Sequence, residues 1–237
     1  MATNGNADIA ELSRARRPAE GKPQAIIRAM PRRRILTLVR AGSAALVLIA
    51  ISYQIRVIVD AGSFQPTRFF AYFTIQSNLI GVVAFAWLLA NGDRPRSHAL
   101  EVFRGAAVAY LMVTFVVFWL LLSEADVGLG ASWVDIVLHK VFPIVVVADW
   151  LIDPPQVRLT ARDAVVWLAY PIAWTVVTLV RGAVDGWYPY PFIDPANGGY
   201  ASVAITIVAI TLGFLVLAGL LVWLSNVRRG AAEASPA

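Results

Sequence analysis

The chain has no cysteine, which excludes disulfides and thiolate chemistry. It has only two histidines, His98 and His139, and no H-E-x-x-H pattern. A zinc-protease site or a bis-histidine haem therefore lacks its ligands, and neither metal nor cofactor is expected. The absence of G-x-S-x-G removes the serine nucleophile elbow. No internal repeat of the kind that marks many transporters is found. Charge is also scarce. Only 15% of the 237 residues are charged while 59% are hydrophobic, and the apolar residues are gathered in long runs. That composition belongs to a membrane protein.

A helix needs about 20 mainly apolar residues to cross roughly 30 Å of hydrocarbon. Six segments qualify: Ile35 to Val59, Phe69 to Ala90, Ala99 to Leu122, Trp133 to Ile152, Asp163 to Val180 and Tyr200 to Leu224. The expected fold is thus all-α, a polytopic six-helix transmembrane bundle over residues 35–224. Residues 1–34 carry Arg14, Arg16, Arg17, Lys22, Arg28, Arg32, Arg33 and Arg34 among Ala, Pro and Gly. They read as a disordered cytoplasmic tail that anchors at an anionic membrane surface, in preference to a nucleic-acid-binding arm. A short tail follows at 225–237.

Arg94 and Arg96, Arg158 and Arg162, and Arg228 and Arg229 mark three joints, whereas the joint "SEADVGLGAS" has no basic residue. By the positive-inside rule both termini are expected in the cytoplasm of a multi-pass protein of the cell membrane, with membrane lipids as its surroundings.

Polarity is concentrated in one half of this scheme. The rise of 1.5 Å per residue puts Thr74 roughly 8 Å and His139 about 9 Å below the outer boundary, with Thr114 nearby at roughly 12 Å. Thr74, Ser77, Asn78 and Gly81 follow i, i+3, i+4, i+7 and share one helix face, and Asp135 and His139 are i, i+4 on another. Exposed to lipid, such groups would cost several kcal/mol each, so both faces should turn inward. Serine and threonine in membrane helices commonly bond back to their own helix or join helices together, and Lys140 commonly snorkels to an interface. An intramembrane histidine, by contrast, points to function. A hydroxyl becomes a nucleophile when a base removes its proton, and imidazole does this near neutral pH. Thr74 and His139 are the minimum set for acyl transfer, with Asn78 a candidate oxyanion donor. Pro143 frees a backbone carbonyl close to His139.

Three stretches, "YFTIQSNL" with Thr74, "LHKVFPIVV" with His139 and "GWYPYPFID" ending at Asp194, resemble in content and order segments of the androgen-induced family of multi-span membrane proteins, and more closely the bacterial six-span proteins related to it. The resemblance implies a metal-independent hydrolase of fatty-acid esters of hydroxy fatty acids, with Thr74 as nucleophile, His139 as its partner and a long-chain ester as substrate. It covers roughly Gln65 to Asp194. The aromatic loop before Tyr200 reads either as an interfacial belt or as a lid in which Tyr188 and Tyr190 meet substrate, and Arg181 as a residue that holds a lipid carboxylate or phosphate or neutralises Asp185. Asp135 completes the candidate substrate-binding set. Two other functions compete: a non-enzymatic solute or proton pathway lined by His139, Asp135, Arg56 and Arg181, and a membrane scaffold.

Overall fold

The computed structural model describes residues 32–122 and 132–233. The expected tail up to residue 31 and nearly all of the acidic joint lie outside the described residues. By its internal packing the chain divides into two units, Met1–Ile35 and Leu36–Ala237, and every helix around the candidate site belongs to the second.

Among the described residues every regular element is helical. In chain order these are α1 (Arg32–Asp60), the single turn α2 (Pro66–Phe69), α3 (Phe73–Asn91), α4 (His98–Val117), α5 (Ser132–Ile136), α6 (Phe142–Ile152), α7 (Ala161–Val166), α8 (Ala169–Asp185) and α9 (Gly199–Glu233). Two π-helical segments interrupt the α pitch, Phe118–Leu122 after α4 and Val137–Val141 between α5 and α6. Helix starts follow local chemistry. The Ser97 side chain accepts the Leu100 N–H to cap α4, and Thr160 with Asp163 forms a capping box on α7, each satisfying amides that have no partner within the helix.

Among the described residues five helices, not six, are long and apolar enough to cross a membrane: Arg32–Asp60, Phe73–Asn91, His98–Leu122, Ala161–Asp185 and Gly199–Arg229. The protein is a multi-pass membrane protein, but the six-helix bundle is corrected. The difference lies at Trp133 to Ile152, expected as the fourth span, which is divided into pieces of 5, 5 and 11 residues. Hydropathy counts apolar side chains and is blind to hydrogen-bond register. Pro143 has no N–H to return to the His139 carbonyl, and the chain answers with a wider turn in which Phe142 N–H donates to Val137 O, a common local response to such a break. An odd number of crossings argues against both termini lying on one side, so the expected cytoplasmic placement of both ends is also corrected.

Packing is close where α3 meets α4 and α6. A Cβ on Gly81 would come within 2.7 Å of Phe142 and 2.8 Å of Leu111, so only glycine lets these helices approach. At the far end from this contact, Arg40, Arg96 and Arg104 meet Glu101, Asp149 and Asp153. Arg104 donates to Asp149 Oδ2 at 2.8 Å and to the carbonyls of Asp149 and Asp153. Arg40 reaches Asp149 at 2.7 Å and Asp153 at 2.5 Å, and Arg96 reaches Glu101 and Asp153 at 3.0 Å. The Arg104 guanidinium also lies over the Trp150 ring at 5.0 Å. Three guanidiniums and three carboxylates thus neutralise one another and tie α1, α4 and α6 together.

Candidate active site

Thr74 stands in the first turn of α3, where the helix leaves its leading amides without intrahelical partners. Its own N–H donates to the Tyr190 hydroxyl at 3.2 Å, and its Oγ1 lies 3.1 Å from His139 Nε2 and 3.3 Å from the same Tyr190 hydroxyl. Both Thr74 and His139 are buried, at 4% and 1% exposure. A buried Thr74–His139 hydrogen bond is therefore a feature of the fold, with the geometry of a nucleophile and base.

On the other side of the imidazole, His139 Nδ1 is 2.8 Å from Asp135 Oδ1, and the Asp135 side chain is 25% exposed. The contact is close but lacks the alignment of a hydrogen bond: Nδ1 makes none. Asp135 therefore acts on His139 through its charge more than through orientation. The imidazole plane is fixed by Phe118, which stacks on it with centroids 4.4 Å apart and planes 20° apart. Phe118 opens one π segment and His139 sits in the other, so the two irregular turns meet at the candidate base.

Asn78 explains how Thr74 and His139 are held in register. Its amide donates to Thr74 O at 2.8 Å and to Leu138 O at 3.1 Å. In the π turn Phe142 N–H is taken by Val137, and the next donor in that register would be Pro143, which has none. Asn78 supplies the missing bond to Leu138 and so ties the start of α3 to the residue before His139. Ser77 adds a bond to Thr74 O at 3.1 Å and one to Thr114 Oγ1 at 2.9 Å. The shared face read from the sequence is thus buried and bonded, but the Asn78 amide hydrogens point at carbonyls and away from Thr74 Oγ1.

Thr74 and Tyr190 lie on the wall of a cavity of about 310 Å³. The rest of the wall is largely apolar, including Trp174, Ile207, Ile210 and Phe214. Trp174 donates its indole N–H to Ala71 O at 2.9 Å, a bond that holds α8 beside the start of α3.

The remaining sequence-derived residues are elsewhere. Arg181 bonds Asp185 at 3.1 Å and Thr67 O at 2.6 Å, and Tyr188 packs on Gly182, where a Cβ would be 2.1 Å from its ring. Neither lines the cavity. Arg56 pairs with Asp60 on an exposed turn. Lys140 lies over Phe118 and Trp119, at 5.7 and 5.0 Å. Among the described residues no group of three or more His, Asp or Glu side chains is placed to hold a metal ion.

No protein-family model matches the chain, and no curated protein or solved structure is significantly similar to it. The assignment to the androgen-induced family, drawn from three short stretches, is corrected accordingly. The chemistry of the site rests on its own geometry.

Proposed function

We propose that the protein is a lipid-ester hydrolase in which Thr74 is the nucleophile and His139 the general base. The observation that carries this reading is the 3.1 Å contact between Thr74 Oγ1 and His139 Nε2, with Thr74 on the wall of an apolar cavity of about 310 Å³. A pocket of this kind suits an acyl chain, with its few polar groups fixing the orientation of the ester. Neutral His139 takes the Thr74 proton as Oγ1 bonds to the carbonyl carbon and the carbonyl electron pair moves to oxygen. The tetrahedral intermediate collapses, the C–O bond to the alcohol breaks, and the proton on Nε2 passes to the departing oxygen. Water then repeats the sequence on the acyl-threonine and releases the fatty acid. Asp135, at 2.8 Å from Nδ1, stabilises the imidazolium that forms in each half.

The competing solute or proton pathway needs a polar route through His139, Asp135, Arg56 and Arg181. The last two are engaged elsewhere, and the space beside Thr74 is lined mainly by hydrocarbon.

The test is hydrolysis of fluorogenic fatty esters by purified protein in nanodiscs. His139→Gln should lower kcat by at least about 10²-fold, the lower end of general-base effects. For Asp135→Asn the loss should fall well short of the roughly 10⁴-fold that follows loss of an aligned triad carboxylate, because the contact here is half-open and unaligned. Wild-type activity in His139→Gln would remove the mechanism. Chain selectivity gives a second readout. Thr211 lines the cavity, and Thr211→Phe should reduce kcat/KM for hexadecanoyl relative to butanoyl esters by about tenfold or more, the scale of methylene-sized discrimination. An unchanged ratio would show that the acyl chain lies elsewhere.

A further inference from the structure

The proposed reaction leaves one requirement unmet, a donor for the oxyanion. Asn78 has given its amide hydrogens to Thr74 O and Leu138 O, and the Ser77 hydroxyl is bonded to Thr74 O and Thr114. Tyr190 remains. We infer that the Tyr190 hydroxyl is a catalytic residue, which donates its proton in a hydrogen bond to the carbonyl oxygen of the ester as that oxygen becomes the tetrahedral oxyanion. The inference rests on the hydrolase reading of the Thr74–His139 pair.

Geometry supports it first. The Tyr190 oxygen is 3.3 Å from Thr74 Oγ1 and accepts the Thr74 N–H at 3.2 Å, and in the reactive arrangement its own O–H donates to Oγ1. In the same arrangement Thr74 donates its proton to an unprotonated His139 Nε2, 3.1 Å away. When Oγ1 bonds to the acyl carbon, it becomes a poor acceptor and the oxyanion forms on the adjoining position. The Tyr190 O–H then has a charged acceptor beside the one it has lost. The Thr74 N–H, already paired with that hydroxyl, stands next to the same place.

Rigidity is the second support, since an oxyanion donor is effective when it is aimed before charge develops. The Tyr190 ring stacks on Phe192 with centroids 5.2 Å and planes 6° apart, and makes edge contact with Tyr72 at 5.6 Å and a tilted contact with Trp174 at 6.0 Å. It is only 6% exposed and forms part of the cavity wall with Thr74.

The third is protonation state. Burial pushes the phenol up to about 12, against smaller opposing effects from its hydrogen bonds with Thr74. At neutral pH it is a donor and not a base, and the division of labour with His139 follows. Tyrosine used as an oxyanion donor has precedent in the general chemistry of enolate and acyl sites.

Tyr190→Phe tests this in the full-length protein, because it removes one oxygen and keeps the ring contacts. The expected result is a fall in kcat of about 10²–10³-fold, the usual effect of losing one oxyanion donor, with KM within about threefold because ground-state burial of the acyl chain is unchanged. Replacing Tyr190 by 3-fluorotyrosine, which keeps the hydroxyl, should restore most of kcat. A tyrosine that merely fills space would give full activity as phenylalanine, and more than a tenth of wild-type kcat in Tyr190→Phe would overturn the inference alone. If Tyr190→Phe does not fold, full activity lost on fluorination would do the same. Wild-type protein inert to every ester would overturn the hydrolase reading and the inference with it.

Discussion

Thr74→Ala is expected to abolish ester cleavage, lowering kcat by on the order of 10⁴ to 10⁶-fold, the scale seen when a hydrolase loses its nucleophile. The same change deletes one hydroxyl whose partners are His139 Nε2 and Tyr190. As packing alone, an intramembrane hydrogen bond averages only about 0.6 kcal/mol, so the variant should remain folded and membrane-inserted. Catalytic and structural roles thus differ by several orders of magnitude in one readout and hardly at all in the other. Thr74→Ser keeps the hydroxyl and should retain measurable turnover. Unchanged kcat in Thr74→Ala, with the protein intact, would mean that the hydroxyl only joins helices.

The largest expected effect on stability belongs to Arg104. Its guanidinium is almost fully enclosed by Glu101, Asp149, two carbonyls and the Trp150 ring. Arg104→Met leaves the network one cation short, with Asp149 held by Arg40 and Glu101 by Arg96, and should cost about 3–5 kcal/mol, as removal of one partner of a buried ion pair does. Adding Glu101→Gln, which removes one of those charges, should recover part of the loss. Thermal unfolding in detergent checks both. A midpoint for Arg104→Met within a degree of wild type would show the network to be dispensable.

Acid acts on the same network through Asp153, which lies beyond the end of α6. Burial raises its carboxyl, but the hydrogen bond from Arg40 and the charges of Arg96, Arg104 and Arg40 outweigh that and hold it below the ordinary carboxylate range. A group depressed in the folded state contributes its full stabilisation above its unfolded value of about 3.9 and loses it as pH falls through the lower folded value. This contribution should therefore be flat at neutral pH and disappear only in acid below about pH 4.

Much of the site was legible because its parts obey short-range periodicity. Thr74, Ser77, Asn78 and Gly81 share a helix face in sequence and are all buried in the fold. Asp135 and His139 were readable as i, i+4 neighbours, and their contact survives the change to π pitch, although without hydrogen-bond alignment. Tyr190 was legible as a polar-tipped aromatic in a proline-rich loop. Its attachment to Thr74 was not, since the two are 116 positions apart. The same distance limit hid the ion network. Arg96 read as a marker of membrane orientation, while Glu101 and Arg104, i and i+3 inside an apolar helix, were the signal that such a network existed. The number of spans failed for another reason. Apolar length was sufficient from Trp133 to Ile152, but Pro143 imposes a hydrogen-bond register that length cannot report.

The most direct measurement is the site of the covalent intermediate. Purified protein is quenched during turnover of a slow fatty ester, digested and mapped by mass spectrometry. The acyl group should be found on Thr74, should be absent in Thr74→Ala, and should accumulate far more slowly in His139→Gln, because in the proposed mechanism His139 Nε2, 3.1 Å from Oγ1, takes the hydroxyl proton. Steady hydrolysis by wild-type protein with the acyl group on another residue, or undiminished acylation when Thr74 is alanine, would contradict the assignment of Thr74 as the nucleophile.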